Sequence, residues 1–259
     1  MNPTPNRFLR ALWFTLTLIP VALVGGFFTL RYQLSLYPPE IMESAIAELG
    51  SVTLLYTVFL IQTLLYAALC GYFGYLLADT LGLMKPFKPV GKPLIFTLAI
   101  ALAGGAALAL LDIFVFAPVV GEEAILGSVD VLLSLDGWIA SLLYGGIIEE
   151  IMLRLFFLSL VAWIIRKLFY RHTSTDAPPT RVFIIANIVA AILFAAGHLP
   201  ATAATFGKLT TVLLLRCFLL NGGLALGFGW LFRKYSIYHA MLAHAGVHIF
   251  SKALFLLIL

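Results

Sequence analysis

Charge is scarce in this chain of 259 residues: only 11% are Asp, Glu, Lys or Arg, against 62% hydrophobic. With a mean hydropathy of +1.06, there is too little polar surface to cover a water-facing globule, which excludes an ordinary soluble domain. Cysteine is nearly absent as well. Cys70 and Cys217 lie in apolar runs without C-x-x-C spacing, which removes disulfide frameworks and thiol-based metal or redox motifs and leaves buried thiols. Also missing are a G-x-S-x-G elbow, a nucleophilic Ser-His-Asp pattern and an H-E-x-x-H pair, so those hydrolase types are excluded. There is no internal repeat, low-complexity tract or soluble second domain.

Uninterrupted hydrophobicity is what the chain has in quantity. Seven runs, at about 11–30, 52–78, 93–118, 138–165, 182–198, 209–232 and 237–258, can each cross a bilayer core as a helix. An eighth passage is allowed if the region before Gly145 begins as a re-entrant segment. The expectation is therefore an all-α, polytopic transmembrane bundle forming one integral domain over residues 1–259. The run AGGAALAL, Ala103 to Leu110, supplies small residues for close helix packing. Asp112, Glu122 and Glu123 fall near the end of that span, where solvation is expected. RHTSTDAPPTR, Arg171 to Arg181, reads as a linker within the domain.

The basic residues alternate with these spans. Arg7 and Arg10 precede the first, Lys85, Lys88 and Lys92 follow the second, Arg166, Lys167, Arg171 and Arg181 follow the fourth, and Arg233 and Lys234 follow the sixth. Arg31, Lys208 and Lys252 lie opposite, among Glu40, Glu43, Glu48, Asp130 and Asp136. The net charge of +4 thus follows topology and forms no nucleic-acid patch. By the positive-inside rule this is a multi-pass protein of the cytoplasmic (inner) membrane, with a cytoplasmic amino terminus and an external carboxyl terminus. The first span lacks a small-x-small cleavage site and reads as a retained anchor.

A few ionisable residues remain at membrane depth, where a charge costs from about 3 kcal/mol to several times that. They are Glu149, Glu150, Arg154, His198, Arg216, His244 and His248. Glu150 and Arg154 are spaced i,i+4 and can pair on one helix face, whereas Glu149 points about 100° away. One glutamate is neutralised by its own helix and the other is available. His198 ends an apolar span just before Pro200, a place where a lone histidine is ordinarily an interfacial hydrogen-bonding residue. His244 and His248 share a face and can either chelate a metal or donate hydrogen bonds together, while His239 lies toward the cytoplasmic mouth. Arg216, Asn187 and Asn221 read as interhelical hydrogen-bonding residues that could line a cavity. An available carboxylate with histidines on two further helices is the inventory of a hydrolytic centre that activates water.

The motifs Glu149-Glu150-x-x-x-Arg154, Phe194-x-x-x-His198 and His244-x-x-x-His248, in this order on late apolar spans, resemble the CPBP family of intramembrane proteases. That family includes type II CAAX prenyl proteases and bacteriocin-processing and immunity proteins, and the resemblance covers about residues 139–250. It implies an endopeptidase in which Glu149 and His198 activate water, His244 and the last motif position stabilise the oxyanion, and Glu150 with Arg154 support the site. The chain departs from the family pattern at His248, where Asn or Asp is usual. Three histidines and Glu149 could also form a zinc shell, so the cofactor is either none or one zinc ion. The implied partners are a peptide or membrane-protein substrate and the lipid bilayer, with no nucleic acid. The alternatives are a non-catalytic peptide-binding immunity or scaffold protein and a proton-coupled transporter, the latter disfavoured by the lack of repeated halves with broken helices.

Overall fold

Capping residues divide the apolar runs into helices much as the hydropathy pattern does. In the computed structural model, which describes residues 6–122, 125, 129–170 and 178–259, α1 spans Arg7–Leu36 and begins where Asn6 accepts from the N–H of Phe8. A short helix α2, Pro39–Leu49, ends at Gly50, whose φ of +87° requires the left-handed region that glycine enters freely. Helix α3, Val52–Thr80, is capped by Ser51 and followed by α4, Lys92–Val120. After the short α5, Val129–Leu133, Ser134 accepts from the N–H of Gly137 and starts α6, which runs unbroken over residues 135–169. Helices α7, Thr180–Gly197, and α8, Leu199–Phe206, meet at His198. Thr210 then caps α9, Thr211–Lys234, and α10 spans Ile237–Ile258.

Among the described residues six helices are long and apolar enough to cross a membrane: α1, α3, α4, α7 continued by α8, α9 and α10. Helix α6, which carries the glutamate pair, is a seventh of comparable length. It is continuous through Gly145, without a re-entrant break. The protein is thus an all-α, multi-pass membrane bundle. Residues 171–177, most of the expected linker, and Glu123 lie outside the described residues.

α6 forms the buried axis. Its Ile148, Ile151, Leu155 and Leu158 are at most 1% exposed, and small residues let its neighbours close on it. A Cβ on Gly74 of α3 would fall 3.0 Å from the backbone of Leu155 and Phe156, and one on Gly146 would fall 3.0 Å from Cβ of Ala245. The AGGAALAL run serves packing, as expected. A Cβ on Gly105 would lie 2.6 Å from Cβ of Phe250, so α4 and α10 touch at a distance only glycine permits.

The helix ends that charge alternation assigned to one side do meet. Arg166 donates to the Thr80 carbonyl at 3.3 Å, Lys85 to the Arg233 carbonyl at 2.6 Å, and Arg233 to Thr180 Oγ1 at 2.7 Å. Burial, and then the charges of Arg233 and Lys234, push the Lys85 ammonium below its usual pKa. His239 lies at the same end, fully buried, against Ser236 Oγ at 2.8 Å and the Lys88 carbonyl at 3.1 Å. On the opposite side Arg31 pairs with Asp136 at 3.1 Å.

Two charges assigned to that opposite surface are instead buried. Lys252 is 0% exposed, donates from Nζ to the Gly137 carbonyl at 2.6 Å and lies 4.6 Å from the Trp138 ring centre. Asp112 is 3% exposed and takes a two-pronged contact from Arg216, at 2.7 and 2.6 Å. Both find partners from distant segments, which hydropathy cannot register. Fusion reporters test the sidedness: those at Lys88 and Pro178 should report the cytoplasm, and those at Glu43, Asp130 and Leu259 the other face. Both termini on one side would show a miscounted span.

Candidate active site

Glu149 and Glu150 sit at the junction of two π-helical stretches of α6, Ala140–Glu149 and Ile151–Leu158. Such i→i+5 segments are rare in length and collect at functional sites. Here the distorted stretch faces α10 across Gly145, where a Cβ would lie 3.2 Å from Nε2 of His248 and 3.8 Å from Nε2 of His244. The glycine therefore leaves room for both imidazoles.

Behind this face lies a buried charge cluster. Oε1 of Glu150 is 2.9 Å from Nη1 of Arg154 and 2.8 Å from Nδ1 of His244, and Glu150 and Arg154 are 0% and 1% exposed. Aromatic rings enclose it. The guanidinium carbon of Arg154 lies 4.5 Å from the ring centre of Phe194 and 5.4 Å from that of Phe228. His244 stacks on Phe228 at 4.7 Å and meets Phe194 edge-on at 5.8 Å. Cation–π attraction thus supplements the ion pair. Nη1 sits at ion-pair distance without hydrogen-bond alignment, and Nη2 of Arg154 and Oε2 of Glu150 also make no hydrogen bond to a described residue. Internal water ordinarily satisfies such atoms.

The Glu150 contact fixes the role of each imidazole nitrogen. A carboxylate accepts, so Nδ1 of His244 donates to it, and Nε2 is turned toward Gly145, with Oε2 of Glu149 4.0 Å away. His198 is oriented in the same manner by its own helix. Its Nδ1 lies 2.8 Å from the Phe194 carbonyl, which can only accept, so Nε2 is left with the lone pair. The phenylalanine preceding His198 by four residues therefore acts twice, through its carbonyl on His198 and through its ring on Arg154.

Glu149, His198, His244 and His248 all line one cavity of about 720 Å³. The side chain of Glu149 is 20% exposed while that of Glu150 is 0%, so the two adjacent glutamates are divided as the helix geometry predicts. His248 stacks on His244 with ring centres 5.1 Å apart. Tyr144, Phe156 and Phe194 wall the cavity, and it extends to Tyr32, Tyr37, Thr205 and Arg216 on the side away from the basic helix ends. Among the described residues no three His, Cys, Asp or Glu side chains are placed to hold a metal ion.

Some features escaped the sequence. Glu150 bonds His244 across 94 residues, and Asp112 bonds Arg216 across 104; neither has a local signature. Phe228 gave no signal at all, being one apolar residue in an apolar span. Asn187 makes the expected interhelical bond, to the Leu226 carbonyl at 2.9 Å, whereas Asn221 bonds its own helix at the Cys217 carbonyl and faces the cavity.

Residues 132–250 match the family model described as Rce1-like, type II CAAX prenyl endopeptidase. The match bears out the resemblance drawn from the three motifs. No curated protein and no solved structure matches the chain. The Rce1-like segment contains the glutamate pair, Arg154, Phe194 and all three cavity histidines, while Tyr32, Tyr37 and Asp112 reach the cavity from outside it.

Arg154→Ala would leave the Glu150 carboxylate buried with His244 as its one polar partner. Removing one member of a buried pair costs about 3–5 kcal/mol, so the variant should melt well below the wild type in detergent. An unchanged melting temperature would count against the pair as a structural anchor.

Proposed function

We propose that this protein is an intramembrane endopeptidase that hydrolyses a peptide bond with water activated by Glu149. The observation that carries the reading is the division of the two glutamates: Glu150 is held by Arg154 and His244, while Glu149 faces a cavity shared with three histidines. In this scheme Glu149 takes a proton from water, and the lone pair on Nε2 of His198 orients that water. Attack on the carbonyl carbon places negative charge on its oxygen. His248 stabilises that charge by donating a ring N–H, and so does His244 in its doubly protonated form, with Nδ1–H held by the Glu150 carboxylate and Nε2–H turned to the cavity. Glu149 then returns its proton to the leaving amine, which balances the reaction. The roles of Glu150 and Arg154 are positional.

The substrate class is a peptide or a segment of a membrane protein, presented extended in the water-accessible cavity, because a helical backbone in lipid keeps its amides engaged. Basic-residue distribution favours the cytoplasmic membrane with the amino terminus inside, which places the cavity mouth on the outer side.

Glu149→Gln keeps size and shape but cannot take up a proton, and loss of a general base typically costs about 10²- to 10⁴-fold in rate. A peptide-cleavage assay on folded protein should show that loss, and full turnover by the variant would reject the assignment. His248→Asn discriminates the water-and-oxyanion scheme from a zinc enzyme. Asparagine donates a hydrogen bond but is a poor zinc ligand, so the variant should retain substantial activity with unchanged metal content. Stoichiometric zinc in the wild type, lost together with activity in His248→Asn, would instead assign His248 to a metal shell.

A further inference from the structure

A second concavity lies between α3 and α6. This groove of about 470 Å³ has an apolar wall of Phe73, Leu76, Leu77, Leu160 and Trp163 and a polar end at Arg7 and Thr80. Two guanidinium groups meet at the polar end, and a third cation stands by Trp163. Nη2 of Arg7 is 3.4 Å from Oγ1 of Thr80, Nη1 of Arg166 donates to the carbonyl of the same residue at 3.3 Å, and Lys167 Nζ lies 5.8 Å from the ring centre of Trp163. Among the described residues none of the three is paired with a carboxylate; the adjacent Asp79 is taken by Arg10 at 3.9 Å.

Like charges converging on one threonine repel each other, and an anion seated between them reverses the sign of that interaction. Guanidinium groups suit a phosphate in particular, because their N–H forks match its oxygens. The groove beside them runs along the bundle and is apolar. An inorganic anion would satisfy the first feature and a hydrocarbon the second; a phosphate on an acyl chain satisfies both.

We propose that this groove binds one anionic phospholipid, with its phosphate between Arg7 and Arg166 and one acyl chain along Phe73, Leu77 and Leu160. Arg7 opens α1 and Arg166 lies in the last turn of α6, so both stand at the ends of apolar helices on the basic face. Phe156 borders both this groove and the cavity that holds Glu149, so the bound chain touches a ring of the cavity wall. The binding does not depend on the proposed hydrolysis.

The full chain, purified in detergent, is mixed with equal amounts of phosphatidylglycerol and phosphatidylcholine bearing the same acyl chains, and retained lipid is counted by native mass spectrometry. One phosphatidylglycerol should be retained preferentially. Arg7→Gln and Arg166→Gln should each lower that preference about fivefold, the usual effect of one cation near an anionic headgroup. Leu77→Trp fills the groove without altering charge and should also reduce retention; Leu76→Trp serves the same purpose if the first variant melts early. Equal retention of the two lipids by the wild type, or undiminished preference in the folded arginine variants, overturns the proposal. So does undiminished retention in a folded groove-filling variant, because the lipid would then be held by surface charge alone. If inorganic phosphate stabilises the protein against heat as much as phosphatidylglycerol does, the site recognises a free anion and the lipid assignment falls. None of these readings uses peptide cleavage, so a failure here is distinguishable from a failure of the protease assignment.

Discussion

One carboxylate oxygen organises the centre of this bundle. Oε1 of Glu150 receives Nδ1 of His244 from α10 and faces Nη1 of Arg154 one turn along α6. Phe194 of α7 and Phe228 of α9 close over the pair. Four helices thereby meet at one buried anion. In hydrocarbon such a group is tolerated only when its charge is matched, so the helices that supply the match are held in register. The cavity histidines inherit their orientation from this arrangement: Nδ1 of His244 is committed to Glu150, and Phe194, which turns Nδ1 of His198, also packs on Arg154.

The π-helical stretches and the small residues of α6 complete the geometry. Gly145 and Gly146 let α10 approach closely enough for His244 and His248 to stand beside the helix that carries Glu149. A larger residue at either position would push α10 away and separate the histidines from the glutamate. Packing and chemistry are therefore fixed by the same contacts.

How much of this could be read beforehand follows from the range of each interaction. Helical periodicity is local, so hydropathy showed the spans, and i,i+4 spacing showed both the Glu150–Arg154 pair and the shared face of His244 and His248. The difference between Glu149 and Glu150 followed from their angular separation on one helix. Contacts between segments about a hundred residues apart left no periodic trace, which is why the Glu150–His244 bond and the Asp112–Arg216 pair emerged only in the folded bundle. Lys252 and Asp112 were misread for the same reason: a charge near the end of an apolar run is solvated or buried according to what packs beside it. The π-helical hydrogen bonding of α6 has no local marker in its sequence that would distinguish it from an ordinary apolar helix.

The cavity is assembled from two parts of the chain with unequal obligations. The proposed catalytic groups come from α6, the α7–α8 junction and α10, within residues 132–250, whereas Tyr32, Tyr37 and Asp112 enter from α1, its carboxyl-terminal cap and α4. Substitutions in those amino-terminal helices can reshape the far wall and mouth without disturbing the anion at Glu150 or the division of the two glutamates. For the proposed peptidase, such a layout would let the range of peptides admitted drift independently of the reaction performed on them, with the boundary between the two drawn along the chain itself.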